Sequence, residues 1–314
     1  MNKETVLVTA ISGDVGNSIL KCLAGSFRLI GCDIGNYPAG LDRVDYFQKV
    51  PYASLGEEYL IALKNIIKSQ NVTHLIPVNE EEIKLISRNR IRLEELGVKI
   101  IIQRQDVLDL CFDKYILALN LMEAGLNAPE SFCPENFIED GNEYLIKLRF
   151  SSGSKMIRRF KTSREMNEII KDELRPVVIQ RYIPSDESEY TIGVFSDGKS
   201  VRTIIFKRKL KNGYSNFVEL VNDEAMKETA IKTAEFFKLN GSINIQLRRY
   251  QNKDYIFEIN PRLSGTVYFR HQLGYTDALW WISFSNGKPV EPYSQFYNKA
   301  LGIRETNEKF LVLE

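Results

Sequence analysis

Short unbroken apolar runs, separated by longer amphipathic stretches, dominate the first hundred residues. Residues 6–10 (VLVTA) read as a strand covered on both faces, and a glycine turn leads from them into a helix over residues 15–24. Residues 29–32, 74–78 and 98–102 predict further strands, the last two preceded by helical stretches at 58–69 and 80–96. Strands alternating with helices imply βαβ units and an open parallel sheet over residues 1–109, a Rossmann-like half-domain. The pattern then changes. A helix over 113–124 ends at Gly125, with Pro129 beyond it. Strand-like segments follow at 143–149, 176–182, 189–195, 201–208, 242–249 and 255–260. One amphipathic helix interrupts them over 223–239, where Met226, Ala230, Ala234 and Phe237 form a single stripe. Residues 110–314 therefore read as α+β on antiparallel strands, without a low-complexity linker.

Composition narrows the chemistry. A length of 314 residues suggests two domains. The 42 Lys plus Arg against 41 Asp plus Glu give a net charge of +1, with neither a nucleic-acid footprint nor an acidic tail. Cys22, Cys32, Cys111 and Cys133 match no zinc or disulfide spacing and read as reduced thiols. His74 and His271 are the only histidines, which excludes a multi-histidine metal site and leaves little for a Ser/His or Cys/His nucleophile. No apolar run approaches the ~18 residues of a membrane span, and a cytoplasmic location is expected.

Three segments could carry chemistry. Ser12-Gly13-Asp14-Val15-Gly16 joins the first strand to the first helix, with Asp33 at the end of the second strand. This is half of a dinucleotide fingerprint, since Ile11 stands where the first glycine belongs. It supports an alternative reading, an NAD(P)-dependent oxidoreductase or epimerase. The absence of a Tyr-x-x-x-Lys pair counts against the short-chain form. The second segment is a strand ending at Lys147, followed by Ser151-Ser152-Gly153-Ser154-Lys155. Small side chains let backbone donors approach phosphate oxygens, although a polar hairpin with a basic rim fits as well. In the third, a hairpin centred on Asn252 sets Gln246 opposite Glu258, and Asn260 shares the face of Glu258. One carboxylate and two amide carbonyls suit Mg²⁺, and Arg262 follows where it could stabilise charge on a phosphoryl group. An ordinary hairpin with a wet polar face has the same spacing, but predicts no phosphate loop upstream.

The ordered set Asp113-Lys114, Ile146-Lys147 with its Ser/Gly loop, Gln180-Arg181-Tyr182-Ile183-Pro184 with Glu189-Tyr190-Thr191, Asn244-Ile245-Gln246 and Glu258-Ile259-Asn260-Pro261-Arg262 resembles the ATP-grasp superfamily. It is most similar to the carbamoyl-phosphate-synthase large-subunit-like branch. The resemblance implies a pre-ATP-grasp domain over 1–109 and an ATP-grasp domain over 110–314, made of two α+β subdomains with a mobile lid at about 129–180. It implies ATP and Mg²⁺, with Mn²⁺ as a substitute. Lys114 and Lys147 would contact the phosphates, and the loop from Ser151 through Ser152, Gly153 and Ser154 would close over them. Gln180, Arg181, Tyr182 and Ile183 would form the adenine hinge, with backbone groups of Arg181 and Ile183 on the base, and Glu189 would accept from the ribose hydroxyls. Gln246, Glu258 and Asn260 would hold the metal, Arg262 would orient an acyl phosphate, and Arg208 would lie near the phosphates. Many relatives carry glutamate where this chain has Arg181. The implied activity is ligation of a small-molecule carboxylate to an amine through an acyl phosphate, with no nucleic-acid or membrane partner. A homodimer and a non-catalytic nucleotide-binding subunit are compatible readings. Arg270 and His271 could meet a substrate anion or form a solvated face, while Trp280 and Trp281 read as packing. The loops at 11–14 and 77–81 end parallel strands, where ligands collect.

Overall fold

The computed structural model describes residues 3–151, 156–184, 189–211 and 214–305. Thr5–Val8 (β1), Arg28–Asp33 (β2), Tyr46–Lys49 (β3), His74–Ile76 (β4) and Lys99–Ile100 (β5) form a parallel sheet in the order β3-β2-β1-β4-β5. The connecting helices are Asp14–Leu23 (α1), Glu57–Gln70 (α2), Glu80–Arg88 (α3) and Arg90–Glu94 (α4). The single helix expected over 80–96 is thus two. Asn89 ends the first by donating from its side-chain amide to the Leu85 carbonyl, a local bond that competes with helix continuation. The strand expected over 6–10 stops earlier, because Ala10 adopts φ 48°.

Gln105–Phe112 (α5) and Lys114–Glu123 (α6) lead out of this sheet. The junction expected at 109 falls inside α5, whose Leu108 enters the core of the parallel sheet while Val107 and Cys111 enter the next core. Ser131–Phe132 (β6), Tyr144–Leu148 (β7), Arg158–Phe160 (β8) and Val177–Arg181 (β9) make a four-stranded antiparallel sheet, with Ser163–Ile170 (α7) beside it. Its core is its own, an edge-to-face cluster of Phe132, Phe137, Tyr144 and Phe160 closed by Ile146, Leu148 and Ile179.

Glu189–Asp197 (β10), Val201–Lys211 (β11), Tyr214–Val221 (β12), Asn240–Tyr250 (β13), Lys253–Asn260 (β14) and Leu301–Ile303 (β15) form a six-stranded sheet in the order β14-β13-β10-β11-β12-β15. Glu224–Phe236 (α8) packs on it with α5 and α6. Val267–Gln272 (α9) and Asp277–Ser285 (α10) pack with α1 and β1, so the parallel and six-stranded sheets share one core that includes Trp280 and Trp281. Among the described residues no helix is long and apolar enough to cross a membrane.

Within this shared region Arg270 and Asp277 are both fully buried and bonded bidentately, Nε to Oδ1 at 2.9 Å and Nη2 to Oδ2 at 2.7 Å. Arg270 is therefore not the solvated or substrate-facing residue its position in the sequence suggested. Breaking a buried pair leaves the surviving charge uncompensated. Asp277→Ala is expected to cost about 3–5 kcal/mol of stability in urea unfolding. A loss well below that range would show that water reaches Arg270.

Candidate functional site

Strand alternation builds the site from two facing sheets. Along β7, Tyr144, Ile146 and Leu148 point into the four-stranded sheet's core, so Leu145 and Lys147 point the other way, and Gln180 does the same on β9. The six-stranded sheet faces them with Glu189, Arg208, Gln246, Arg248 and Glu258. Lys114, Ser151 and the segment Arg181 to Ile183 complete the cleft between the sheets.

The β13–β14 hairpin reaches its expected pairing by an unexpected route. Gln251 and Asn252 both have positive φ, 48° and 58°, as a two-residue I′ turn requires, so Tyr250 pairs with Lys253 and Leu247 with Ile256. That register alone would set Gln246 against Phe257. A bulge between Gln246 and Leu247 shifts it by one, and Gln246 stands opposite Glu258. The same bulge brings Glu258 round to the cleft face beside Phe257, which the turn's register already puts there.

Charge in the cleft is dense. Burial lowers the pKa of Lys147 to about 8, with Glu258 opposing that effect; Lys147 donates to Gln180 Oε1 at 2.8 Å. Gln180 in turn donates to Ser131 Oγ at 3.0 Å, which fixes the amide and hence the ammonium. Burial also pulls down Lys114, whose ammonium donates to the Ser151 carbonyl. Asp113 caps α6 and grips Arg149 at 2.8 and 2.7 Å, anchoring Lys114 to the start of the Ser/Gly loop. Burial pushes Glu189 up, but Arg208 and Arg248 on the flanking strands outweigh it and hold the carboxyl below its ordinary range. The two guanidiniums reach Glu189 at 2.6 and 3.0 Å.

Eleven of the expected site residues line this cleft: Lys114, Lys147, Ser151, Gln180, Arg181, Tyr182, Ile183, Glu189, Arg208, Gln246 and Glu258. Asn260 and Arg262 lie just outside its lining, Asn260 donating to Glu258 Oε1 at 3.0 Å. Burial lowers the Arg262 pKa against the opposing pull of Asp14, Glu258 and Glu80, which places its guanidinium within electrostatic reach of both β14 and the first sheet's loops. Ser152, Gly153 and Ser154 lie outside the described residues. Three details differ from expectation. The Arg181 N–H is committed to the Glu130 carbonyl at 2.8 Å, and its side chain pairs with Glu130 at 3.2 Å. Both carboxylate oxygens of Glu189 are engaged by arginines. Arg208 is spent on Glu189 and on Gln246 Oε1, the latter at 2.8 Å. As a metal site the donor set is all hard oxygen with one full charge, which fits Mg²⁺, and Gln246 and Asn260 can turn their carbonyls toward an ion by exchanging these bonds.

The dinucleotide alternative loses its acidic residue. Asp33 is buried and accepts from the Ser12 and Gly35 N–H groups at 2.8 and 3.1 Å, bracing the turn from within. Gly16 serves packing, since a Cβ there would lie 2.5 Å from the Ala10 carbonyl oxygen. Sequence reasoning missed Arg248, Arg159 and Phe257. Arg248 was accessible from the period of two, two residues beyond Gln246, and it donates to the Ile183 carbonyl at 3.2 Å as well as to Glu189. Arg159 stands opposite Leu145 on a strand the pattern did not reveal, and Phe257 shares the cleft face with its neighbour Glu258 only because of the bulge.

Comparison with known proteins gives two family matches, an ATP-grasp domain over residues 111–266 and a PylC-like N-terminal domain over residues 12–101. The C-terminal section of the carbamoyl phosphate synthase large chain of Aquifex aeolicus is 26% identical over 202 residues, covering 56% of this chain and 37% of that protein. Tyramine–L-glutamate ligase of Methanocaldococcus jannaschii is 25% identical over 213 residues, covering 66% of this chain and 61% of that protein. The chain thus spans less than two thirds of either relative. In fold it is similar to the N5-carboxyaminoimidazole synthetase of Staphylococcus aureus complexed with ADP, with a TM-score of 0.74 at 15% identity, covering 96% of this chain and 83% of that one.

A lysine whose pKa sits near 8 is charged below that value and loses its proton as pH rises through it. Affinity for MgATP is accordingly expected to weaken as pH rises through about 8, and Lys147→Met to bind more weakly without that step. Calorimetric titrations on either side of this pH test it. An identical slope in both proteins would remove Lys147 from the binding site.

Proposed function

Because the chain belongs to the ATP-grasp superfamily, we propose that it is an ATP-dependent ligase joining a carboxylate to an amine through an acyl phosphate. The observation that carries the reading is the meeting of Lys147 from β7 and Lys114 from the start of α6 with Glu258 and Gln246 in one cleft. A triphosphate there would meet one buried cation from the lid and one from α6, with metal-holding oxygens from β13 and β14. The names of the relatives support the same chemistry, tyramine–L-glutamate ligase most directly.

In this reading residues 1–109 are the pre-ATP-grasp domain, 110–314 the ATP-grasp domain and about 129–180 the lid. Arg248 ties the Ile183 carbonyl to Glu189, so contact with the base falls to the Arg181 carbonyl and the Ile183 N–H. Arg208 and Arg248 together place four N–H groups on the two oxygens of Glu189, so a ribose hydroxyl would bind there by displacing one of those bonds. Gln246, Glu258 and Asn260 would hold Mg²⁺, with Mn²⁺ as a substitute, and the ion would neutralise charge on the phosphate oxygens. Lys114 and Lys147 bind the triphosphate and hold it straight. A substrate carboxylate oxygen attacks the γ-phosphorus in line, the bond to the β-phosphate oxygen breaks, and ADP leaves. Arg262 orients the acyl phosphate. The amine nitrogen then attacks the carbonyl carbon, phosphate departs with the C–O bonding pair, and the amine's proton passes to solvent. No histidine or cysteine is needed, since positioning and electrostatics carry phosphoryl transfer.

ADP release measured with Mg²⁺ across a panel of amino acids and small carboxylates, each with and without an amine, tests this. Lys147→Ala and Glu258→Gln are expected to lower kcat/KM by about 10² to 10³-fold, the scale of losing one preorganised electrostatic group. Unchanged turnover in both would sink the site assignment. MgATP binding without substrate-dependent ADP release across the panel would favour a nucleotide-binding subunit.

A further inference from the structure

The network around Arg270 goes beyond a buried ion pair. Ser242 Oγ donates to Asp277 Oδ2 at 2.6 Å, on the side of the pair nearest β13. Arg270 Nη1 donates to Ser264 Oγ at 2.9 Å and Thr266 Oγ1 at 3.1 Å. Ser264 Oγ donates to Asn244 Oδ1 at 2.8 Å, and that oxygen also accepts from Thr191 Oγ1 at 3.0 Å. Asn244 pairs directly with Asn260 across the β13–β14 ladder. The segment from Asn260 to Thr266 is therefore fixed at one end by its ladder partner and at the other by hydroxyls held from a buried guanidinium. Arg262 lies between the two attachments.

We infer that Arg270, set by Asp277, is a positioning residue for Arg262, tethering the loop that carries it through Ser264 and Thr266. The inference rests on the ligase reading for what Arg262 does, but not for where it is held. Stability alone does not account for the arrangement, since well-packed apolar residues commonly serve as well as a buried ion pair. An apolar pair could not hold two hydroxyls of an adjoining loop. β10 also makes room for the device. Gly193 stands opposite Asn244, and a Cβ there would come within 3.1 Å of Arg270 Cδ.

The test uses the full chain and isosteric changes at the tether. Thr266→Val and Ser264→Ala remove a hydroxyl each, Thr266→Ser keeps it, and Gly193→Ala nudges the guanidinium with every partner retained. Four quantities are compared: Tm, Kd for Mg-AMPPNP, kcat for ADP release, and the Arg262 Nε–Hε resonance in arginine-labelled protein, assigned with Arg262→Lys. Thr266→Val, Ser264→Ala and Gly193→Ala are expected to shift the Arg262 resonance, leave Kd within about twofold, and lower kcat by about tenfold to 10²-fold, the scale that a misplacement of about 1 Å costs. Thr266→Ser is expected to behave as the parent. An unmoved Arg262 resonance with unaltered kcat, whatever the Tm, would overturn the tether. If the parent releases no ADP with any acid, the ligase reading fails, and the resonance alone decides the tether.

Discussion

Burying positive charge where no protein anion fully balances it is the constraint around which this molecule is arranged. Lys114, Lys147 and Arg262 are all pushed toward their neutral forms by burial, and Glu258 opposes that push at each of the three. Glu189, the other carboxylate lining the cleft, already carries two guanidiniums. The cleft therefore holds a standing demand for negative charge in surroundings where water screens poorly. A polyanion that satisfies it need not reorganise the protein first, because Asp113 with Arg149, and Gln180 with Ser131, already fix the two lysines. Preorganised charge of this kind costs stability in the empty protein and strengthens binding and phosphoryl transfer.

Much of the architecture was legible as periodicity. Buried runs gave the parallel sheet, and the period of two put Lys147, Gln246 and Glu258 on faces that do meet across the cleft. What stayed hidden has definite physical causes. β6, β8 and β15 are two or three residues long, too short to leave a pattern. α7 begins with a Thr162–Glu165 capping box, a readable signal set within a stretch whose apolar pattern points to strands. The hairpin was assigned its centre from symmetry and gave the right partner for Glu258, although the real turn is half a residue off and a bulge makes up the difference. Pair geometry can be inferred from spacing only when no bulge intervenes, and here two offsets cancelled.

Partner choice was the least legible level. Sequence shows that Glu189, Arg208 and Arg248 exist, but not that they align as one row across β11, β10 and β13. Nor does it show that Arg270, one residue before a histidine and ten beyond the end of β14, turns inward. The cue was present in Asp277, seven residues on, across a short loop between two helices. A charged residue with an opposite charge on the next helix and small hydroxyl residues just upstream is a signature of interior pairing that local polarity misses.

The distribution of cores bears on how the molecule can move. The parallel sheet and the six-stranded sheet share one core through α1, α9 and α10, and α5 is embedded in both of the cores it touches. The four-stranded sheet keeps its aromatic cluster to itself. Mechanically this is a two-piece object rather than a three-piece one. Motion that separates the first two sheets would expose a common interior, whereas displacement of the third as a unit would expose none. The resistance to that displacement is then polar and local, concentrated in the bonds that Arg248 and Lys114 make at its edges. Lys114 is at once one of these ties and one of the cations lining the cleft, so an anion bound there would act on a contact that holds the third sheet.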